Sequence, residues 1–149
     1  MNIKQSEGGI QLEFRSCINY LLTVAHREVK QQLAARLKEY NLTPGQYGIL
    51  NYLWEHEQAT PKELSQTLME STPVISALLD RLQKQGLINR CVYAEDRRSI
   101  QVSLTEEGLN LKQGVLNMVD DLNIASMERV DPEKREVLLD CLRQLSSIE

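Results

Sequence analysis

Residues 86–108 read GLINRCVYAEDRRSIQVSLTEEG, and this stretch decides the fold. At Gly86 the spacing of apolar residues changes. Ile88 and Val92 on one side, and Ile100, Val102 and Leu104 on the other, alternate with polar residues such as Arg90, Gln101 and Ser103. A period of two is what a strand with one buried face requires. The two runs flank Ala94-Glu95-Asp96-Arg97-Arg98-Ser99, so they predict a β-hairpin, and a tip without Gly or Pro predicts a loop longer than two residues. Thr105-Glu106-Glu107 then opens a helix, with a hydroxyl for the cap and two carboxylates at the positive end of the helix dipole.

Upstream of Gly86 the period is helical. A helix from Ser71 to Gln85 keeps Ile75, Leu78, Leu79 and Leu82 on one face, starts at Ser71-Thr72-Pro73 and ends at Gly86, the residue type favoured just past a helix C-terminus. Before it, Thr60-Pro61-Lys62-Glu63 is a full capping box that opens a short helix carrying Leu64, Leu68 and Met69. Thr43-Pro44-Gly45-Gln46 gives the same signal for a helix running to about His56. A short helix, a tight turn and a second helix form a helix-turn-helix, here followed by a hairpin. Gln58 to Thr60 are expected to add a third short strand.

The flanks are longer. From about Ile10 to Tyr40, the residues Phe14, Ile18, Leu21, Ala25, Val29, Leu33 and Leu37 recur every three or four positions and predict one long amphipathic helix. Beyond Gly108, Leu111, Val115, Met118, Leu122 and Ala125 follow the 4,3,4,3 spacing of a helix packed on helices. A last helix begins near Asp131-Pro132-Glu133 and presents Leu138, Cys141, Leu142, Leu145 and Ile148. The expected fold class is therefore mainly α with a small β-hairpin wing (α+β), a winged helix-turn-helix with long N- and C-terminal helices.

Bulk properties exclude several functions. A chain of 149 residues with 42% hydrophobic and 26% charged residues fits one ordinary globular unit. No apolar run is long enough for a membrane span and the start, MNIKQSEGGIQLEF, lacks a signal-peptide pattern, so the expected location is cytoplasmic. Cys17, Cys91 and Cys141 are odd in number and widely spaced, and His26 and His56 stand in no HxxxH pattern, which argues against a disulfide framework or metal centre. There is no G-x-S-x-G, phosphate-binding glycine loop or HExxH, so no enzymatic activity and no cofactor are expected.

The net charge of −4 speaks against a nucleic-acid partner until its distribution is considered. Residues 71–98 carry 5 basic and 3 acidic groups, whereas residues 99–149 carry 5 basic and 10 acidic ones. Opposite its apolar stripe, the Ser71 to Gln85 helix presents Thr72, Pro73, Ser76, Ala77, Asp80 and Lys84. Small and hydroxyl-bearing side chains at its N-terminal half suit a helix entering a major groove. Arg81, Lys84 and Arg90 are candidate phosphate contacts, and Arg97 and Arg98 at the hairpin tip suit a minor groove, with Asp96 aiming a guanidinium. A winged helix serving as a protein-interaction module without DNA binding is the competing reading.

The stretch from Asp96 to Gly108 resembles the wing signature of the MarR family of transcriptional regulators, D-x-R-x-x-x-V-x-L-T-x-x-G, at every defined position. Leu42-Thr43-Pro44-Gly45-Gln46-Tyr47, Leu79-Asp80-Arg81-Leu82 and Gly86-Leu87-Ile88 are also similar to that family, so the likeness covers about Leu42 to Gly108. The resemblance implies a dimeric repressor, with 1–40 and 109–149 forming a helical dimerisation region and 42–108 the winged helix-turn-helix that binds a palindromic operator in double-stranded DNA. It implies Ser71, Thr72, Pro73, Val74 and Ser76 in the groove, Arg98 at the minor groove, and Asp96 bracing it. It also implies release by a small aromatic or phenolic effector, although Tyr20, His26, Tyr47, Tyr52 and Trp54 are at helical spacings that suit a core. One branch of the family senses peroxides through a first-helix cysteine, which makes Cys17 an alternative switch. Aligned through Arg27-Glu28, however, that thiol falls nearer Asn19.

Overall fold

The computed structural model describes residues 14–92 and 100–146. Seven helices and three strands are arranged in it as α1 (Ile18–Leu37), α2 (Pro44–His56), β1 (Gln58–Ala59), α3 (Pro61–Thr67), α4 (Thr72–Lys84), β2 (Ile88–Val92), β3 (Ile100–Leu104), α5 (Glu106–Asn110), α6 (Lys112–Met127) and α7 (Arg135–Ser146).

The long first helix is more divided than its apolar spacing predicts. A 3₁₀ turn at Phe14–Ser16 precedes α1 and another at Lys38–Tyr40 follows it, and Asn41, in the left-handed region at φ 54°, turns the chain toward α2. Apolar periodicity registers the buried face but not the tightening of a last turn, where orphan carbonyls favour 3₁₀ bonding. The region after the wing divides similarly, α5 and α6 meeting at Leu111. Both capping boxes form as read. Thr43 and Gln46 exchange side-chain and backbone bonds at the start of α2, and Thr60 and Glu63 do so at α3.

The sheet has the order β1-β3-β2, all antiparallel, with Ala59 opposite Val102 and Arg90 opposite Val102 from the other side. The third strand expected at Gln58 is thus present as two residues. Val102 is fully buried at the sheet centre, and Ile49, Leu50, Leu53, Leu64, Ile75, Leu79, Leu82 and Ile88 close around it. Leu37 and Val115 join the same cluster, so the ends of the flanking helices are packed onto the winged helix. Each such side chain stabilises the fold by roughly 1.5–3 kcal/mol relative to exposure.

The signature residues Thr105 and Gly108 close the sheet onto α5. The Thr105 hydroxyl donates to the Gly86 carbonyl at 2.6 Å and accepts from the Gly108 amide at 3.1 Å, while the Thr105 amide donates to the Leu87 carbonyl. That carbonyl presses against Gly108 so closely that a Cβ there would overlap it. Gly108 is therefore required by space. Its own carbonyl accepts from the buried Trp54 indole at 3.0 Å.

Candidate nucleic-acid interface

The face of α4 is set by its buried stripe. Ile75, Leu79 and Leu82 are buried against the core, which turns Ser71, Thr72, Pro73, Val74, Ser76 and Ala77 outward into solvent. Val74 is the one large apolar side chain among them. Ser71 holds the N-cap position in an extended conformation, though its hydroxyl makes no cap bond. The turn from α3 runs through Met69, at φ 52° and strongly exposed, and the Ser65 hydroxyl donates to the Glu70 carbonyl at 2.6 Å to hold it. Together these leave a row of mostly small side chains exposed on α4, backed by the buried core.

The expected cations divide into two groups. Arg90, expected as a phosphate contact, is engaged within the chain: its guanidinium lies 2.8 Å from the Asp80 carboxylate and donates to the Ser76 carbonyl at 3.4 Å. It sits opposite the buried Val102, so its stem covers the sheet while its head reaches across to α4. Arg81 and Lys84, in the C-terminal half of α4, face a cavity shared with Lys38, Asn41, Leu42 and Thr43. Sequence reading missed Lys38, Gln46 and Gln85 because only the fold brings position 38 beside position 85. The Gln46 amide, almost fully buried, donates to Gln85 at 2.6 Å, and the Gln85 amide donates to the Asn41 carbonyl at 2.8 Å. Gln46 was visible as a capping residue, and that same role fixes it as the anchor of this chain of amides.

Asp96, Arg97 and Arg98 lie outside the described residues. The strands that lead to them, β2 and β3, pair in register from Ile88 with Leu104 to Val92 with Ile100.

The aromatic residues serve mainly packing. Trp54 is core, Tyr47 lies tilted against it with ring centres 6.4 Å apart, and Tyr52 stacks on His56 at 4.1 Å. Burial, with Asp120 and Glu55 nearby, raises the Tyr47 phenol above its usual pKa. Cys17 is the half-buried N-cap residue of α1, and Cys91 and Cys141 are exposed. Among the described residues no His, Cys, Asp and Glu cluster suits a metal ion, and no helix is long and apolar enough to cross a membrane.

Residues 40–99 match the family model described as the MarR family. The chain is 37% identical over 109 residues to the organic hydroperoxide resistance transcriptional regulator of Bacillus subtilis, covering 73% of each chain. It is 30% identical over 132 residues to the HTH-type transcriptional regulator FarR of Neisseria gonorrhoeae, covering 89% of this chain and 90% of that one. Among solved structures, the Staphylococcus aureus MepR–DNA complex superposes with a TM-score of 0.80 at 27% identity, over 88% of this chain and 97% of that one. An Escherichia coli MarR mutant complexed with operator DNA gives a TM-score of 0.80 at 22% identity, over 86% and 92% of the two chains, a likeness of fold.

Proposed function

This chain belongs to the MarR family of DNA-binding transcriptional regulators, and we propose that it acts as a cytoplasmic homodimeric repressor of a palindromic operator, by binding and without catalysis. The observation that carries this reading is the outward row Ser71, Thr72, Pro73, Val74 and Ser76 on a helix whose opposite face buries Ile75, Leu79 and Leu82. Short side chains let the backbone of α4 approach base edges, hydroxyls exchange hydrogen bonds there, and the Val74 methyl groups suit a thymine methyl. Arg97 and Arg98 follow the wing signature and supply the minor-groove contact, with Asp96 as their anchor, while Arg81 and Lys84 contribute charge. Arg90 braces α4 from behind. The MepR and MarR structures with DNA support the same partner.

Dimerisation is supported by what the chain leaves uncovered. Among the described residues α7 buries no side chain, and Val137, Leu138, Leu142 and Leu145 are exposed on it, as are Ile18, Leu21, Leu22 and Val29 on α1 and Ile124 on α6. Apolar side chains left exposed in this number on a small chain call for a partner, and a second copy presents two α4 helices about one DNA turn apart, roughly 34–36 Å. The residues 1–40 and 109–149 then form the dimer region and 42–108 the reading unit.

Titration of a labelled duplex with protein at stepped salt tests this reading. Affinity is expected to fall linearly on a log–log scale, and Arg98→Ala to weaken binding by roughly 1–3 kcal/mol. Binding that ignores salt would instead support a protein-interaction module. A second reading concerns the switch. Similarity to a regulator named for organic hydroperoxide resistance supports a thiol switch as the alternative to an aromatic or phenolic effector, with Cys17 as the cysteine on the first helix, two positions from Asn19 where the resemblance puts the sensing thiol. Cys17→Ser is then expected to abolish peroxide-dependent release from DNA, and unchanged release would dismiss it.

A further inference from the structure

Lys112 is the first residue of α6, where a cation opposes the positive end of the helix's own dipole, and no acidic residue stands in that first turn to offset it. Its charge is used on another helix. The Lys112 ammonium donates at 3.0 Å to the carbonyl of Trp54, in the last turn of α2, where carbonyls run out of partners within the helix and a cation suits the negative end of the dipole. The same tryptophan is held again across this boundary, its buried indole donating to the Gly108 carbonyl of α5 at 3.0 Å. Leu111, between these tethers, is where α5 ends and α6 begins, with no side-chain cap to fix the angle. Just beyond Lys112, Gly114 brings α6 close against Tyr40, where a Cβ would lie 3.1 Å from the phenol oxygen.

We propose that Lys112 is a positioning residue, which sets the angle between α6 and the winged helix through the Trp54 carbonyl. α2 carries that setting to α4. The two helices pack directly, Gly45 of α2 lying so near α4 that a Cβ would meet a Leu78 methyl at 3.0 Å, and Leu50, Leu53 and Ile75 are buried in the core they share. With the ammonium on the carbonyl, α6 and α4 move as one body; without it, Leu111 is a hinge. Resting on the dimer and DNA reading above, this makes Lys112 the residue that fixes how far apart two α4 helices stand, and so the half-site spacing the dimer accepts, although it is no part of the outward row of α4.

Pulsed electron spin resonance on the full-length chain tests this, with Cys17, Cys91 and Cys141 replaced by serine and nitroxides at Gln83→Cys on α4 and Asn123→Cys on α6, both exposed positions. Diluting labelled chains with unlabelled ones confines the measured distance to one protomer. Lys112→Met, which keeps the stem and removes the donor, is expected to shift or broaden that distance by about 1–2 Å. Lys112→Arg, which keeps a charged donor, is expected to restore the native distribution. A distance that Lys112→Met leaves unchanged, with helical circular dichroism retained, overturns the proposal. The consequence for DNA is read on an inverted-repeat duplex enriched from random sequence, and on the same duplex with one base pair inserted between the half-sites. The native protein is expected to prefer the uninterrupted duplex, and Lys112→Met to reduce that preference by roughly threefold to tenfold. An equal loss of affinity on both duplexes marks general destabilisation and overturns the spacing role. A native protein that binds no duplex removes the DNA reading alone, since the distance uses neither DNA nor a contact between copies.

Discussion

The guanidinium of Arg90 on β2 lies 2.8 Å from the carboxylate of Asp80 on α4, so the strand leading into the wing and the helix proposed to read DNA are tied to each other. Asp80 is more than half exposed while the Arg90 side chain is mostly covered. Solvent screening holds the ion pair itself to about 0.5–1 kcal/mol. The packing of the arginine stem adds to what Arg90→Ala removes. Urea unfolding at matched protomer concentration is expected to show Arg90→Ala as more destabilising than Asp80→Ala, with a double-mutant coupling of about 0.5–1 kcal/mol. Equal single losses and no coupling would mean that the pair braces nothing.

Gly108 has no room for a side chain, because the Leu87 carbonyl fills the place of a Cβ while accepting the Thr105 amide. Gly108→Ala must push α5 off the sheet. A loss of about 2 kcal/mol or more is expected, read as a lowered unfolding midpoint. A neutral Gly108→Ala would show that this junction is loose.

Glu63 accepts from the Thr60 amide at 2.6 Å and from its hydroxyl, and these bonds to the charged form hold the carboxyl below the usual glutamate range. A carboxyl with a depressed folded pKa stabilises fully above its unfolded value and loses that contribution as pH falls through the folded one. Melting temperatures of the native protein and Glu63→Gln are therefore expected to differ at neutral pH and to converge in acid. Because the site is exposed the difference is small, and a gap that persists at low pH would rule out ionisation as its cause.

The apolar face of α7 is unburied within one chain, so a charge placed there leaves the monomer core intact. Leu142→Glu is expected to convert a dimer to a monomer in sedimentation velocity while helical circular dichroism is retained. A dimer that survives places the interface elsewhere.

The winged helix was legible in the sequence because its devices are local. Capping boxes at Thr43 and Thr60, the Gly86 stop at φ 73°, and the paired strands around the buried Val102 each act within a few residues, and the structure contains them, although Ile100 at the start of β3 is exposed. The turns at Lys38–Tyr40 and Leu111 were not legible, since apolar spacing continues through them. The outward row on α4 followed from the stripe of Ile75, Leu79 and Leu82. The ion pair that Arg90 makes with Asp80, ten residues back on another element, was not legible, because it joins a strand to a helix. Lys38 and Gln85 meet only through tertiary packing, which no local pattern encodes.

Selection of bound sites from a pool of random duplexes tests the central claim most directly, because it reads sequence choice and symmetry at once. The expected result is an enriched inverted repeat with half-sites about one helical turn apart, roughly 10 base pairs centre to centre. A pool that emerges unenriched after repeated rounds, from protein that is folded and dimeric, would contradict it.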